Sequence, residues 1–341
     1  MKKRIRLLYT GGTIGMQRSA RGYLPAPLDR LLQEMPALSA RADMPDHELI
    51  EYPDPIDSAN AGPADWRRIA ADIVRDYERF DGFVVMHGTD TMAHTASALS
   101  FMLQGLQKPV LVTGSQIPLQ EIRNDAQNNL ITALLLADRY PVAEVCLYFN
   151  GRLLRGNRAR KLKADSFDAF DSPNYPWLGE VGIKIDIHRD RLLGDAGPEC
   201  FQVPEVDGFR EVALLKLFPG LTADWLDRLL APPLAGLVLE SYGVGNAPDR
   251  IPGLLAAIER ATTRGLVVLN VSQCLEGWVD PAGYATGSAL AGVGACCGFD
   301  LTPEAALAKL HHLLALGLSP EAVRTELSRS LCGECTVAAP G

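Results

Sequence analysis

Residues Tyr9 to Met16 read Tyr-Thr-Gly-Gly-Thr-Ile-Gly-Met, and the side chain there with chemistry to offer is Thr13, a hydroxyl set among glycines where an apolar run stops. Ile5, Leu7 and Leu8 predict a buried strand ahead of it, and Gly11, Gly12 and Gly15 let the chain turn without a Cβ penalty. Small ligands of open α/β sheets sit outside the carboxyl ends of strands, so a hydroxyl placed there suits nucleophilic attack. Two other readings fit the same residues. A glycine cluster often marks only a turn, and Thr10 to Gly15 resembles a dinucleotide fingerprint whose first glycine has become Thr10. The nucleotide reading needs a helix directly after the turn, whereas Gln17 to Pro27 holds charge, Gly22 and two prolines.

Further hydroxyls stand in equivalent positions. Phe83 to Met86 predicts a strand ending at His87-Gly-Thr-Asp-Thr91, Val110 to Val112 one ending at Thr113-Gly-Ser115, and Val145 to Phe149 one ending at Asn150-Gly151. Thr13, Thr89 and Ser115 are therefore expected to converge on one edge of a sheet. Taken alone, Thr89-Asp90 also fits a helix start capped by the aspartate.

The elements that must position these turns follow from periodicity. Apolar residues at 66, 69, 70, 73, 74 and 77 predict an amphipathic helix over Pro63 to Phe80, with Pro63 suited to its first turn. Helices are also expected over Met92 to Leu106 and Asn128 to Ala137. Strands alternating with helices imply a parallel sheet covered on both faces. From Leu192 to Asp207 the pattern lapses into Gly, Pro, Asp and Glu, which suits an exposed interdomain connection. A second alternation begins at Val212, with strands near 212–217, 236–239 and 266–271 and helices near 223–230, 254–262, 303–316 and 320–331. The expected organisation is a first domain over 1–191, a linker over 192–210 and a smaller α/β domain over 211–341.

Composition excludes several classes of protein. Hydrophobic residues at 47% and charged residues at 22% are those of a folded globular chain, and a formal charge of −8 argues against nucleic acid as a partner. The nearest basic stretch, Arg152 to Lys163, reads as a solvated loop or a site element. Lys2, Lys3 and Arg4 precede an apolar run that Arg6 interrupts, too short for a secretory signal, so a cytoplasmic protein is expected. Seven cysteines spread from Cys146 to Cys335 fit reduced thiols better than a disulfide framework, and Cys332-Gly-Glu-Cys335 has no second pair to complete a zinc site. His311 and His312 are adjacent on a predicted helix and point in different directions, so they do not share a metal easily. No apolar stretch approaches the length of a membrane span.

Taken together, Thr10-Gly-Gly-Thr-Ile-Gly15, Asp57-Ser58 ahead of a proline-started helix, His87-Gly-Thr-Asp-Thr91 and Ser241-Tyr-Gly-Val-Gly-Asn246 occur in the order found in bacterial L-asparaginases. The chain resembles that family from about Arg4 to Glu334. Phe167-Asp-Ala-Phe170 and Gly283-Tyr-Ala-Thr-Gly287 are similar to its cytoplasmic, type I branch. The resemblance implies a two-domain α/β asparaginase-like fold, with a larger amino-terminal parallel-sheet domain and a smaller carboxyl-terminal one. It implies hydrolysis of L-asparagine to L-aspartate and ammonia through a Thr13 acyl-enzyme, with neither metal nor organic cofactor.

Roles then pass to individual residues. Thr13 would be the nucleophile and Tyr23, in a polar segment from Arg18 to Leu24 that suits a lid, its proton relay. Thr89, Asp90 and Lys161 would form a second constellation in which a lysine paired to a carboxylate tunes the threonine. Asp57 and Asp90 would receive the substrate's ammonium and Ser58 its α-carboxylate, while Gly12 and Ser115 line the site. Asn246 would act across a subunit interface, which implies a homodimer or a dimer of dimers; for Asn246 alone, a backbone conformation with positive φ is the other reading. Some type I enzymes carry a second asparagine site with an arginine where this chain has Glu240. Cys274 fits that site's pattern and Arg160 replaces a small hydroxyl residue, so the charge reversal at Glu240 implies that the second site is lost. A related amidase or amidotransferase subunit with glutaminase activity, and a non-catalytic amino-acid sensor on the same fold, are the competing readings.

Overall fold

The computed structural model describes residues 2–20, 22–25, 43–194, 197–280 and 285–337. Arg21, in the segment expected to act as a lid, and Gly283 and Tyr284, in one of the type I segments, lie outside them. The chain divides into two compact units, Met1–Val203 and Pro204–Gly341.

The first unit is built on an eight-stranded sheet. Across it the strands run Asp46–Ile56, Arg4–Gly11, Gly82–Met86, Val110–Thr113, Val145–Phe149, Arg152–Arg155, Gly179–Val181 and Ile185–Ile187. The first five are mutually parallel, and each of the last three is antiparallel to the strand before it. Gly82–Met86, Val110–Thr113 and Val145–Phe149 are buried along their whole length, which is why they read as continuous apolar runs. On one face, Ala126, Leu130, Ala133 and Ala137 of the helix Ala126–Arg139 meet Ile5, Leu7, Val84 and Leu111. The helix Met92–Met102 packs against the strand Val145–Phe149 and against the helix Pro63–Asp76.

The structure adds to or departs from the sequence-based expectation at several places in this unit. The strand Asp46–Ile56 was hidden by its composition, Asp-His-Glu-Leu-Ile-Glu-Tyr-Pro-Asp-Pro-Ile; it is an edge strand, where charge and proline are tolerated, and its register slips between Tyr9 and Gly11. The stretch Arg152 to Lys163, expected as a solvated loop or a site element, is not solvated over residues 153–159, which are buried. Arg155 is buried, with its Nε 2.7 Å from the Glu144 carboxylate, and Arg158 is among the largest fully buried side chains. A local charge count could not see that partner, which lies on the far side of the preceding strand. The expected lid is a β-hairpin, Met16–Ser19 paired with Gly22–Pro25. Part of the expected linker is likewise attached to the first unit, because Cys200–Phe201 pairs with Leu103–Gln104 and Phe201 meets Tyr77 edge-on.

The second unit holds four parallel strands in sequence order, Val212–Lys216, Gly236–Ser241, Val267–Ser272 and Ala295–Cys297. Helices Ala223–Leu229 and Leu254–Thr263 bury one face, and Pro303–Ala315 with Pro320–Leu327 the other. Each of the last two begins with proline behind a capping hydroxyl: Thr302 accepts from Ala305 N and Ser319 from Ala322 N. Inside the CxxC sequence Cys335 packs in the core, and the segment is also held by Glu334. Its carboxylate lies 2.7 Å from Lys309, both wholly buried, and accepts from Leu331 N and Cys332 N. Burial pushes the Glu334 carboxyl up, but Lys309 and these N–H groups hold it below its ordinary range. No disulfide joins any of the seven cysteines. Among the described residues, no helix is long and apolar enough to cross a membrane.

Candidate active site

Close backbone packing brings three of the predicted turns together. Gly12 has φ +92° and sits so close to the His87–Gly88 backbone that a Cβ on it would overlap Gly88 N. A Cβ on Gly88 would in turn overlap Ser58 Oγ. The turn carrying Thr13 therefore rests on the turn carrying Thr89, which rests on the turn carrying Asp57 and Ser58. Only glycine permits such an approach. Hydroxyl bonds reinforce it: Thr10 Oγ1 donates to Met86 O at 2.9 Å and Thr91 Oγ1 to Ser58 O at 2.7 Å. Ser115 arrives on the next strand, whose Thr113 O accepts from His87 N, and its buried hydroxyl has no partner among the described residues. Thr13 itself opens a single 3-10 turn, Thr13–Gly15, and is half-buried.

The second constellation is assembled as well. Lys161 Nζ donates to Asp90 Oδ1 at 2.8 Å and to Thr89 Oγ1 at 2.9 Å. Lys161 is positioned by the pairing of Arg160–Lys161 with Phe170–Asp171, which folds the basic stretch back on itself. Sequence reasoning missed the second partner of the Thr89 hydroxyl. Its hydroxyl lies 3.3 Å from Gln116 Oε1, while Gln116 Nε2 donates to the carbonyls of Ala164 and Ser166. The amide nitrogen is thus occupied, and Thr89 must accept from Lys161 and donate to Gln116. Asp125, just ahead of a helix, accepts from Gln116 N and Ile117 N and fixes this loop. The one available signal for Gln116 was its place beside Ser115 at a strand end.

Other residues are arranged less directly. Tyr23 is exposed, and its phenol donates to Glu121 Oε1 at 2.9 Å. That bond to the carboxylate pushes the Tyr23 phenol above its ordinary range. Tyr9, buried below the Thr13 turn against Gly15, is pushed up to about 12 by burial, so neither phenol is a ready base at neutral pH. Asp57 caps the 3-10 turn Ser58–Asn60, accepting from Ala59 N, and Ser58 is buried. Burial lowers the His87 imidazole, partly offset by its bond to Gly88 O.

Glu240, Cys274 and Asn246 belong to the second unit. Glu240 is mostly buried and its carbonyl accepts from Leu217 N and Gln273 Nε2, while Cys274 is exposed. Tyr242 and Asn246 close a tight loop with two backbone hydrogen bonds. The positive φ angles there belong to Gly243 and Gly245, so Asn246 is not present to supply one.

Hydroxyls, a paired lysine and a carboxylate gather at the carboxyl ends of parallel strands, where open α/β sheets hold their small ligands. Residues 4–193 match the model of the asparaginase amino-terminal domain, and residues 211–327 that of the glutaminase/asparaginase carboxyl-terminal domain. The chain is 49% identical to L-asparaginase 1 of Escherichia coli K12, covering 98% of each. It is 45% identical to the crystal structure of L-asparaginase I from Vibrio cholerae, with TM-score 0.90 over 98% of this chain and all of that one. It is also 41% identical to the human 60 kDa lysophospholipase, of whose length it spans 62%. The chain belongs to the asparaginase family.

Proposed function

We propose that this protein hydrolyses L-asparagine to L-aspartate and ammonia, with Thr13 as the nucleophile. The observation that carries the reading is the glycine-on-glycine contact that seats the Thr13 turn on the Thr89 turn, with Lys161 bonded to both Thr89 and Asp90. Thr13 Oγ1 attacks the side-chain amide carbon, and its proton passes through neighbouring hydroxyls to the departing nitrogen, which leaves as ammonia. The resulting β-aspartyl ester is cleaved by water, whose proton returns to Thr13. Tyr23 serves this transfer as a relay, giving up one proton as it takes another, because its bond to Glu121 disfavours the phenolate that a base would require. Thr89, held between Lys161 and Gln116, supplies the second hydroxyl. Asp57 and Asp90 receive the substrate's ammonium, Ser58 its carboxylate, and Gly12 and Ser115 line the bound amide. Release of ammonia from free asparagine with no acceptor present tests the hydrolysis against the amidotransferase and sensor readings, and the same assay on glutamine measures any glutaminase activity.

The saturation curve is expected to be hyperbolic. A carboxylate facing Glu240 where a second-site enzyme has arginine exchanges attraction for repulsion, about 4 kcal/mol for a contact at roughly 4 Å with effective dielectric about 20. Arg160, where a small hydroxyl residue is replaced, restores the attraction only if its guanidinium reaches the same space without pairing with Glu240. A sigmoidal curve that turns hyperbolic on mutating Glu240 or Cys274, with Thr13 untouched, would show that the second site survives.

The protein is cytoplasmic in this reading, and its minimum active unit is a homodimer, in which the Gly243–Asn246 turn lies beside a neighbouring subunit's site. Light scattering at assay concentration should give at least a dimer, and dilution should lower specific activity. A fully active monomer contradicts the assignment of Asn246.

A further inference from the structure

His87 is a buried titratable group that the chemistry above does not use, and it sits two residues before Thr89. Its Nδ1 lies 2.8 Å from Gly88 O and its Nε2 3.0 Å from Thr95 Oγ1. A carbonyl can only accept, so Nδ1 carries the proton; Nε2 is then a lone pair, and the Thr95 hydroxyl must donate to it. Thr95 is wholly buried in the helix Met92–Met102, and the His87 backbone N–H is fixed on Thr113 O. The ring is therefore held in one tautomer and one orientation, from the helix and from the adjacent strand.

Its effect falls on the Gly88–Thr89 peptide. That peptide is trans, so its N–H points opposite to its C=O. With Gly88 O drawn to the imidazole, Thr89 N–H must face the other way, and among the described residues it donates to no other group. Glycine at 88 has no intrinsic preference that would hold this plane, and its Cα is pressed between Gly12 and Ser58. We infer that His87 is a positioning residue for the hydrolysis, orienting the Gly88–Thr89 peptide so that Thr89 N–H is presented to the oxygen on which negative charge develops. The inference rests on the reading of the Thr13 and Thr89 turns as the reacting site. A donor that strengthens its bond only as charge develops stabilises the transition state more than the bound substrate, so its loss lowers kcat and leaves KM nearly unchanged.

Two substitutions separate this role from packing. The amide nitrogen of asparagine is attached to Cγ, as Nδ1 is, and can still donate to Gly88 O; Thr95 then turns its hydroxyl to Thr91 O one helical turn earlier. Glutamine matches the ring better in volume but places its amide where Nε2 stood, leaving Gly88 O without its donor. H87N is expected to keep kcat within about tenfold of wild type, and H87Q to lower it by about 10²-fold with little change in KM, the size expected of a small misplacement of a reacting group. Steady-state kinetics on asparagine, with thermal melting of each variant and T13A in the same assay, decide it. If H87N loses as much kcat as H87Q or more, the order follows cavity size and the inference fails. It fails too if both variants turn over like wild type while T13A is inactive. Turnover by T13A would instead remove the reading of the site, and the inference with it.

Discussion

Thr13→Ala is expected to lower kcat on asparagine by at least about 10³-fold, the scale on which loss of a covalent nucleophile is felt. The fold should be indifferent to the change. Thr13 begins a 3-10 turn whose backbone bond, Met16 N to Thr13 O, does not involve the side chain, and its φ is not in the positive region. Thr13 is half-buried, so truncation opens no large cavity, and a stability loss of more than about 1 kcal/mol is not expected. Aspartate binding, which depends on Asp57, Ser58 and Asp90 in the proposed site, should persist. Thr13→Ser keeps the hydroxyl but frees its rotation, and should keep a measurable fraction of activity. The decisive observation is the location of the acyl group: quenching during turnover and mapping the adduct by mass spectrometry should place it on Thr13. An adduct on Thr89 would overturn the assignment, since the Thr89 hydroxyl is the one bonded to Lys161.

How far the site could be read from the chain differs from residue to residue, for physical reasons. The strand ends were legible because a buried parallel strand is a continuous apolar run and its exit is marked by glycine and hydroxyl residues, as at Tyr9–Met16 and Met86–Thr91. That the two turns share one edge of the sheet was legible, but their contact backbone to backbone was not. It depends on Gly12 and Gly88 facing each other across neighbouring strands, and strand order is not written in local periodicity. The edge strand Asp46–Ile56 was missed because an edge tolerates the charges and prolines that usually mark a loop. Arg155 and Arg158 misled because a basic side chain counts as solvated until its buried partner is known. Gln116 carries no motif at all. Its role appears only when its amide nitrogen is found occupied by Ala164 and Ser166, which leaves its oxygen for Thr89.

Lys161→Met is expected to lower kcat by about 10²–10⁴-fold, the range of general acid–base contributions, while KM changes little. Methionine keeps most of the stem, and the backbone of Arg160–Lys161 is held by its pairing with Phe170–Asp171, so the loop should stay in place. Stability should also change little, because the Asp90 carboxylate is 60% exposed and an ion pair so wet is worth at most about 1 kcal/mol. The catalytic effect has a different origin. Lys161 is the donor that Thr89 Oγ1 accepts from, and without it the Thr89 hydroxyl keeps its bond to Gln116 but loses the charge that tunes it. Binding should not suffer, since Lys161 and the substrate's ammonium compete for the same Asp90 carboxylate, and removing the lysine leaves that carboxylate freer to receive the substrate. A large fall in kcat with unchanged or lower KM and an unshifted melting temperature is therefore the expected pattern. Turnover equal to wild type would take Lys161 out of the mechanism, and a loss confined to KM would make it a binding residue only.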